Sequence, residues 1–185
     1  MADHRRRFEA FCRTLTPEEL ATPVPDAPWT VHDYIAHLCT IDALINRFFG
    51  PFVGMADMPQ PEVAPPVPFD IDDWNAAIVA RRTSATLDDL FAEAAAARAN
   101  YARILESLPD DRLEMMIPYG GDRKVIDLPA TQVRLIDLLS SIALHDPTHA
   151  RDIVRALPHR EPEVREWLAS ADFSRVPEAI LARRA

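Results

Sequence analysis

The chain has 185 residues and a formal net charge of −9, with 48% hydrophobic and 26% charged residues, a balance that fits a globular chain able to bury a core. An acidic balance argues against a nucleic-acid backbone as the main partner, because that partner demands a basic footprint. No apolar run reaches membrane-spanning length, and Cys12 and Cys39 are too few for a disulfide framework, so a cytoplasmic protein with no membrane partner is expected.

The opening Arg5-Arg6-Arg7 is too short to change the charge argument. It is followed by Phe8-Glu-Ala-Phe-Cys-Arg13 rather than by an apolar stretch, so it does not read as a signal peptide. Residues 3–20 carry Phe8, Phe11, Leu15 and Leu20 at helical spacing, which predicts a first helix ending near Pro23, Pro25 and Pro28. With 17 prolines and only 4 glycines, proline punctuates this chain, above all between Pro51 and Pro68.

The second helix has a strong start signal in Trp29-Thr-Val-His-Asp-Tyr34. Thr30 can cap, Asp33 stands where a capping box needs its acid, and Trp29 and Tyr34 can form the hydrophobic staple. Tyr34, Leu38, Ile41, Leu44, Ile45 and Phe48 then form the expected buried stripe, and His37 points with it. His32 faces elsewhere, toward solvent, while Cys39, two residues past His37, faces away and packs. Residues 50–70 have no usable periodicity and read as a connector over the surface or as the mouth of a binding site.

Asp70 can cap a third helix running to about residue 83 on Trp74, Ile78 and Val79. Thr86-Leu-Asp-Asp89 reads as another capping box, opening a helix to about residue 108 on Leu87, Leu90, Phe91, Ala94, Tyr101, Leu105 and Leu108. These two read as one long rod, kinked or broken between Thr83 and Thr86. Met115-Met-Ile-Pro-Tyr119 and Lys124-Val-Ile-Asp-Leu128 flank Gly120-Gly121 and predict a small hairpin, with Pro118 confining its strand to an edge. The last long helix is expected over 130–157, followed by short helices over 162–169 and 177–184.

On that last helix Leu135, Leu138, Leu139, Ile142, His145, His149 and Ile153 fall near one stripe. His145 and His149, four residues apart, share a face and can both ligate one divalent metal if a third ligand arrives. His37, inward on another helix, is the candidate third ligand; the alternative is three core histidines satisfied by ordinary hydrogen bonds. Pro147 denies an amide to the carbonyl of Ala143, and Asp146-Pro147 could open a fresh helix; a kink that preserves the helical path is the reading taken here. Asp146 and Asp33 are candidate outer carboxylates, and His4 and His159 read as exposed.

Several of these stretches resemble a known family. Leu15-Thr-Pro-Glu-Glu-Leu20 and Pro28-Trp-Thr-Val-His-Asp-Tyr-Ile-Ala-His37-Leu38 are similar to the start of DinB-like proteins, nearest to the branch with mycothiol-dependent maleylpyruvate isomerase N-terminal domains. Asp73-Trp-Asn-Ala-Ala77 and His145-Asp-Pro-Thr-His149-Ala-Arg-Asp-Ile153 resemble its third and fourth helices, so the likeness spans about residues 8–157. It implies an all-α, four-helix bundle in a single domain over 1–185, with its core at about 3–157, a hairpin between the third and fourth helices, and a C-terminal extension over 158–185. It also implies one divalent metal near one end, held by His37, His145 and His149, where relatives can carry glutamate in place of His145. Zinc is the first expectation, with nickel or iron as alternatives.

The implied function is a metal-dependent thiol S-transferase, in which the metal activates a low-molecular-weight thiol for attack on a small electrophile. Two alternatives stand beside it: a metal-dependent hydrolase, and a non-catalytic metal- or small-ligand-binding protein of stress response that uses a bundle face for a homodimer. No HExxH helix is present, which argues against a protease of that type.

Overall fold

The computed structural model describes residues 2–49, 70–119 and 131–174. They form an all-α bundle with one small antiparallel hairpin. In order the elements are α1 (Ala2–Cys12), α2 (Pro17–Leu20), α3 (Val31–Phe49), α4 (Ile71–Ala80), α5 (Leu87–Ser107), α6 (Asp110–Leu113), β1 (Met116–Tyr119), β2 (Thr131–Arg134), α7 (Leu135–Ala143), α8 (His145–Ala156), a 3-10 turn (Pro158–Arg160) and α9 (Glu161–Ala169). No helix among the described residues is long and apolar enough to cross a membrane.

The first segment is two helices, not the one expected over residues 3–20. Thr16 accepts a hydrogen bond from the Glu19 amide (3.2 Å), and the Glu19 carboxylate accepts one from the Thr16 amide (2.8 Å). With Pro17 at the first helical position, this capping box restarts the chain in a new direction. The same box opens α3, where Thr30 and Asp33 exchange amide bonds of 3.0 and 3.2 Å. Trp29 and Tyr34 meet edge to face at 5.3 Å as the predicted staple. Between these boxes the chain folds back on itself: the amide of Val24 donates to the carbonyl of Trp29 and that of Val31 to the carbonyl of Thr22. Asp26 turns this loop at φ 62°, in the left-handed region that aspartate tolerates better than most residues.

Asp70 caps α4 by accepting from the amides of Asp72 and Asp73, both at 3.0 Å. Thr86 and Asp89 form the predicted box on α5. Replacing Thr86 by Ala removes a side-chain acceptor from an orphan amide, with an expected loss of about 1 kcal/mol in a urea melt. The two helices are not a continuous rod. Trp74 shares a core cluster with Tyr101, whereas a rod would hold them roughly 40 Å apart. Val79 joins Leu90 and Phe91 in the other cluster, and Arg82 reaches Glu93 at 2.6 Å, so the chain reverses between α4 and α5 and both helices pack on α3.

Among the described residues Met116–Tyr119 pairs antiparallel with Thr131–Arg134, and the strand expected over 124–128 lies outside them. Ile117 pairs with Val133, and Pro118 with Gln132. Ile117 and Val133 point into the core while Arg134 stays outside, the alternation of a half-buried strand that helical periodicity had absorbed. The Gly120-Gly121 turn, the 50–69 loop and the predicted 177–184 helix lie outside the described residues.

The last helix therefore begins at Leu135, and it breaks at Leu144 (φ −98°, ψ 5°) before restarting at His145. Pro147 falls in the first turn of the new helix, where its missing amide has no intrahelical partner to lose. The Leu144 carbonyl accepts from both the amide (3.0 Å) and the hydroxyl (2.8 Å) of Thr148, which starts α8 without a side-chain cap. The break is a full restart, stronger than the expected kink.

The core has two clusters. One holds Phe8, Phe11, Ile35, Leu38, Leu90, Ala94, Ile153 and Trp167; the other holds Ile41, Trp74, Tyr101, Ile117, Leu135 and Ile142. The order in which they enter the clusters orients the helices: α3 and α5 run one way, α4 and the α7–α8 pair the other. Where the clusters meet, four charged side chains from α1, α3, α5 and α8 fill the interior. Arg98 forks onto Asp42 at 2.7 and 3.1 Å, and Arg5 forks onto Asp146 at 2.8 and 3.2 Å. Arg98 also reaches Asp146 at 3.4 Å, so two guanidinium groups and two carboxylates form one network, neutral in sum and buried except at Arg98, which is 16% exposed.

Candidate metal centre

His37 sits in the middle of α3, 5% exposed, while His145 and His149 occupy the first two turns of α8, half-buried. The structure brings all three together. One nitrogen of each lies within 4.8 Å of the others, a group that could hold a metal ion. Ring centroids are 5.4 Å apart for His37 and His145, 5.3 Å for His37 and His149, and 4.7 Å for His145 and His149.

The finest detail is between the two rings of α8. Their Nε2 atoms are 2.9 Å apart. Two lone pairs cannot face each other at that distance unless a proton or a cation lies between them. The other nitrogen of His149, Nδ1, is 2.9 Å from Asp152 Oδ2. A carboxylate there fixes the tautomer with hydrogen on Nδ1, which leaves the Nε2 lone pair aimed at the centre. At metal–nitrogen bonds of about 2.0–2.1 Å, a 2.9 Å separation subtends close to a right angle, and opening it by roughly 0.4 Å gives a tetrahedral angle. The α8 pair therefore fits a divalent ion with small ring movements, and the His37 nitrogen, within 4.8 Å of both, closes on it to complete the set.

Aromatic rings line the approach. Trp29 lies 5.1 Å from the His37 ring and Tyr34 lies 5.2 Å from that of His149. Burial, and then the Asp152 carboxylate, push the Tyr34 hydroxyl above its usual pKa, so it stays an O–H donor. His149 and Asp152 are partly open to solvent, at 18% and 25% side-chain exposure.

The outer carboxylate is Asp152, not Asp146 or Asp33. Asp33 is taken up by the α3 cap and Asp146 by the Arg5–Arg98 network. Its position three residues after His149, on the same helical face, is the signal that could have found it. Nor are His32 and His4 solvated as expected. His32 donates from Nε2 to the carbonyl of Ala85 at 2.9 Å, and His4 Nδ1 accepts from the Trp167 indole at 2.9 Å. His159 is exposed and pairs with Glu19 at 2.8 Å.

Neither cysteine belongs to the centre. Cys12 and Cys39 are buried free thiols. Burial raises the Cys12 pKa well above the usual thiol value, and it pushes Cys39 up to about 12 despite the neighbouring Arg5. Both stay protonated at neutral pH, and neither is a nucleophile or a ligand.

The family model described as the mycothiol maleylpyruvate isomerase N-terminal domain matches residues 1–140. That span holds His37 and ends short of His145 and His149, so the convergence of the α8 pair rests on the geometry alone. No curated protein and no solved structure matches the chain. A match over most of the chain, on an all-α bundle with histidines converging from α3 and α8, settles the family: this chain belongs to the mycothiol maleylpyruvate isomerase N-terminal domain family, with a DinB-like fold.

Proposed function

We propose that His37, His145 and His149 hold one divalent metal, zinc by preference, and that the protein is a thiol S-transferase acting on a small electrophile. The observation that carries this reading is the approach of three imidazole nitrogens to within 4.8 Å on a fold of this family. Three neutral imidazoles leave the ion its full charge and an open position, where a low-molecular-weight thiol loses its proton readily at neutral pH. The protein's own residues do the rest. Asp152 holds the His149 ring in the ligating tautomer. Trp29 packs against the His37 ring and Tyr34 against that of His149, and the Tyr34 hydroxyl is a donor for a polar group on a substrate. Because Cys12 and Cys39 are buried and protonated, the reacting sulfur comes from a soluble thiol rather than from the chain.

A three-histidine set with an open position also suits activation of water, which makes hydrolysis the second reading. Cobalt substitution separates them. Titrating the cobalt-loaded protein with mycothiol, bacillithiol and glutathione is expected to give a sulfur-to-cobalt charge-transfer band with at least one of them. A spectrum unmoved by every thiol rejects the transferase reading and leaves hydrolysis, or binding alone, to be tested with ester substrates.

A further inference from the structure

Arg5 belongs to the short basic opening of the chain, which looks like surface decoration in the sequence, yet it is 6% exposed and bonds to the chain neighbours of two of the three histidines. Its NH2 group donates to the carbonyl of Leu38, the residue after His37, at 2.9 Å. The same nitrogen donates to Asp146 Oδ1 at 2.8 Å, and Nε donates to Asp146 Oδ2 at 3.2 Å. Asp146 is the residue after His145. One guanidinium therefore ties the backbone next to one histidine to the side chain next to another.

That tie matters because α8 has little else to fix its first turn. The helix restarts after a break at Leu144, has no side-chain cap, and contains Pro147 within the turn that carries His145. A helix end held only by packing can rotate, and each residue of register turns a side chain by about 100°. Asp146 is the one charged side chain of that turn, and it is 2% exposed. Burial disfavours a charged Arg5, but Asp146, Cys39 and Asp42 together more than offset this, so the guanidinium stays protonated and can hold both partners. Arg98, bridging Asp42 and Asp146, braces the same carboxylate from α5.

We infer that Arg5 is a positioning residue for the three-histidine centre, clamping α3 to α8 at the spacing and rotation at which His37, His145 and His149 share one ion. This rests on the metal-binding reading above. It adds that α1, which contributes no ligand, is required for metal affinity and coordination geometry. Lysine cannot replace arginine here, since one ammonium cannot serve two carboxylate oxygens in fork geometry and a carbonyl together.

The test is a cobalt titration of the full chain by chelator competition, with far-UV circular dichroism and the cobalt d–d spectrum recorded in parallel. Arg5→Lys is expected to weaken cobalt binding roughly tenfold or more and to shift the d–d bands while the helical signal is kept. Arg82→Lys, which alters a partly buried pair between the turn after α4 and α5 where no ligand resides, is expected to leave both readouts unchanged. Asp146→Asn provides a second variant should Arg5→Lys fold poorly. In the unaltered chain, zinc is expected to slow solvent exchange of the Arg5 Nε–H, because coupling between clamp and metal is reciprocal. Wild-type cobalt affinity and spectrum in a folded Arg5→Lys or Asp146→Asn chain, or Arg5 exchange indifferent to zinc, overturns the clamp. Failure of the unaltered chain to bind cobalt overturns the metal reading itself, and the clamp with it.

Discussion

Replacing His149 by Ala is expected to abolish metal binding and leave a folded helical bundle. His149 is the best oriented of the three rings, held at Nδ1 by Asp152 and facing His145 through Nε2 at 2.9 Å. Without it, only two imidazoles remain, one on each of two helices, and a two-ligand site has little affinity against water and buffer. The ring is half-buried at the rim, outside both core clusters, so its loss leaves no large interior cavity. The readouts are metal content and the stabilisation conferred by metal. At a hundredfold excess over Kd, zinc is expected to stabilise the unaltered chain by roughly 2.7 kcal/mol and the variant hardly at all. A variant that keeps one ion per chain rejects the assignment.

The largest effect on stability is expected at Asp42. Its side chain is fully buried and accepts two bonds from Arg98, with Arg5 3.9 Å away. Asp42→Asn keeps the shape but removes one of two negative charges, leaving two guanidinium groups to share Asp146. Breaking a buried pair from one side typically destabilises by about 3–5 kcal/mol, a large part of a domain's total stability. Urea denaturation should show the midpoint falling sharply at unchanged m value. The double change Asp42→Leu with Arg98→Met removes both charges together and leaves Arg5 and Asp146 as a neutral fork. It is expected to lose far less than the single change. A single variant within about 1 kcal/mol of the unaltered chain contradicts a neutral, interlocked network.

Much of the architecture could be read from local chemistry. The boxes at Thr30 and Thr86 and the Asp70 cap were legible because each depends on residues within one turn. The Thr16 box carries the same signal, strengthened by Pro17, but the hydrophobic spacing of Phe8 to Leu20 runs through it as if the helix were continuous. Thr131 to Arg134 was lost for a related reason. Four residues ahead of a helix add too little periodicity of their own, and their strand identity comes from pairing with residues 116–119. The reversal between α4 and α5 depends on Trp74 and Tyr101 joining one core cluster, which spacing along the chain does not encode.

The centre divides in the same way. His145 and His149 were legible from their spacing, and His37 from its place on the α3 stripe. Asp152 was legible in principle by its three-residue offset from His149. Arg5 and Arg98 were not. Nothing near them in the chain distinguishes a buried arginine from a solvated one, because their partners Asp146 and Asp42 lie 141 and 56 residues away. Charges placed that far apart declare themselves only in the folded chain.

The central claim is that three rings from two helices share one cation, and metal analysis of the chain purified without an affinity resin tests it most directly. One divalent ion per chain, released as the medium is acidified through the imidazole range and taken up again on neutralisation, is the predicted result. A chain that carries only traces of metal and takes up no added zinc or cobalt at neutral pH would contradict it.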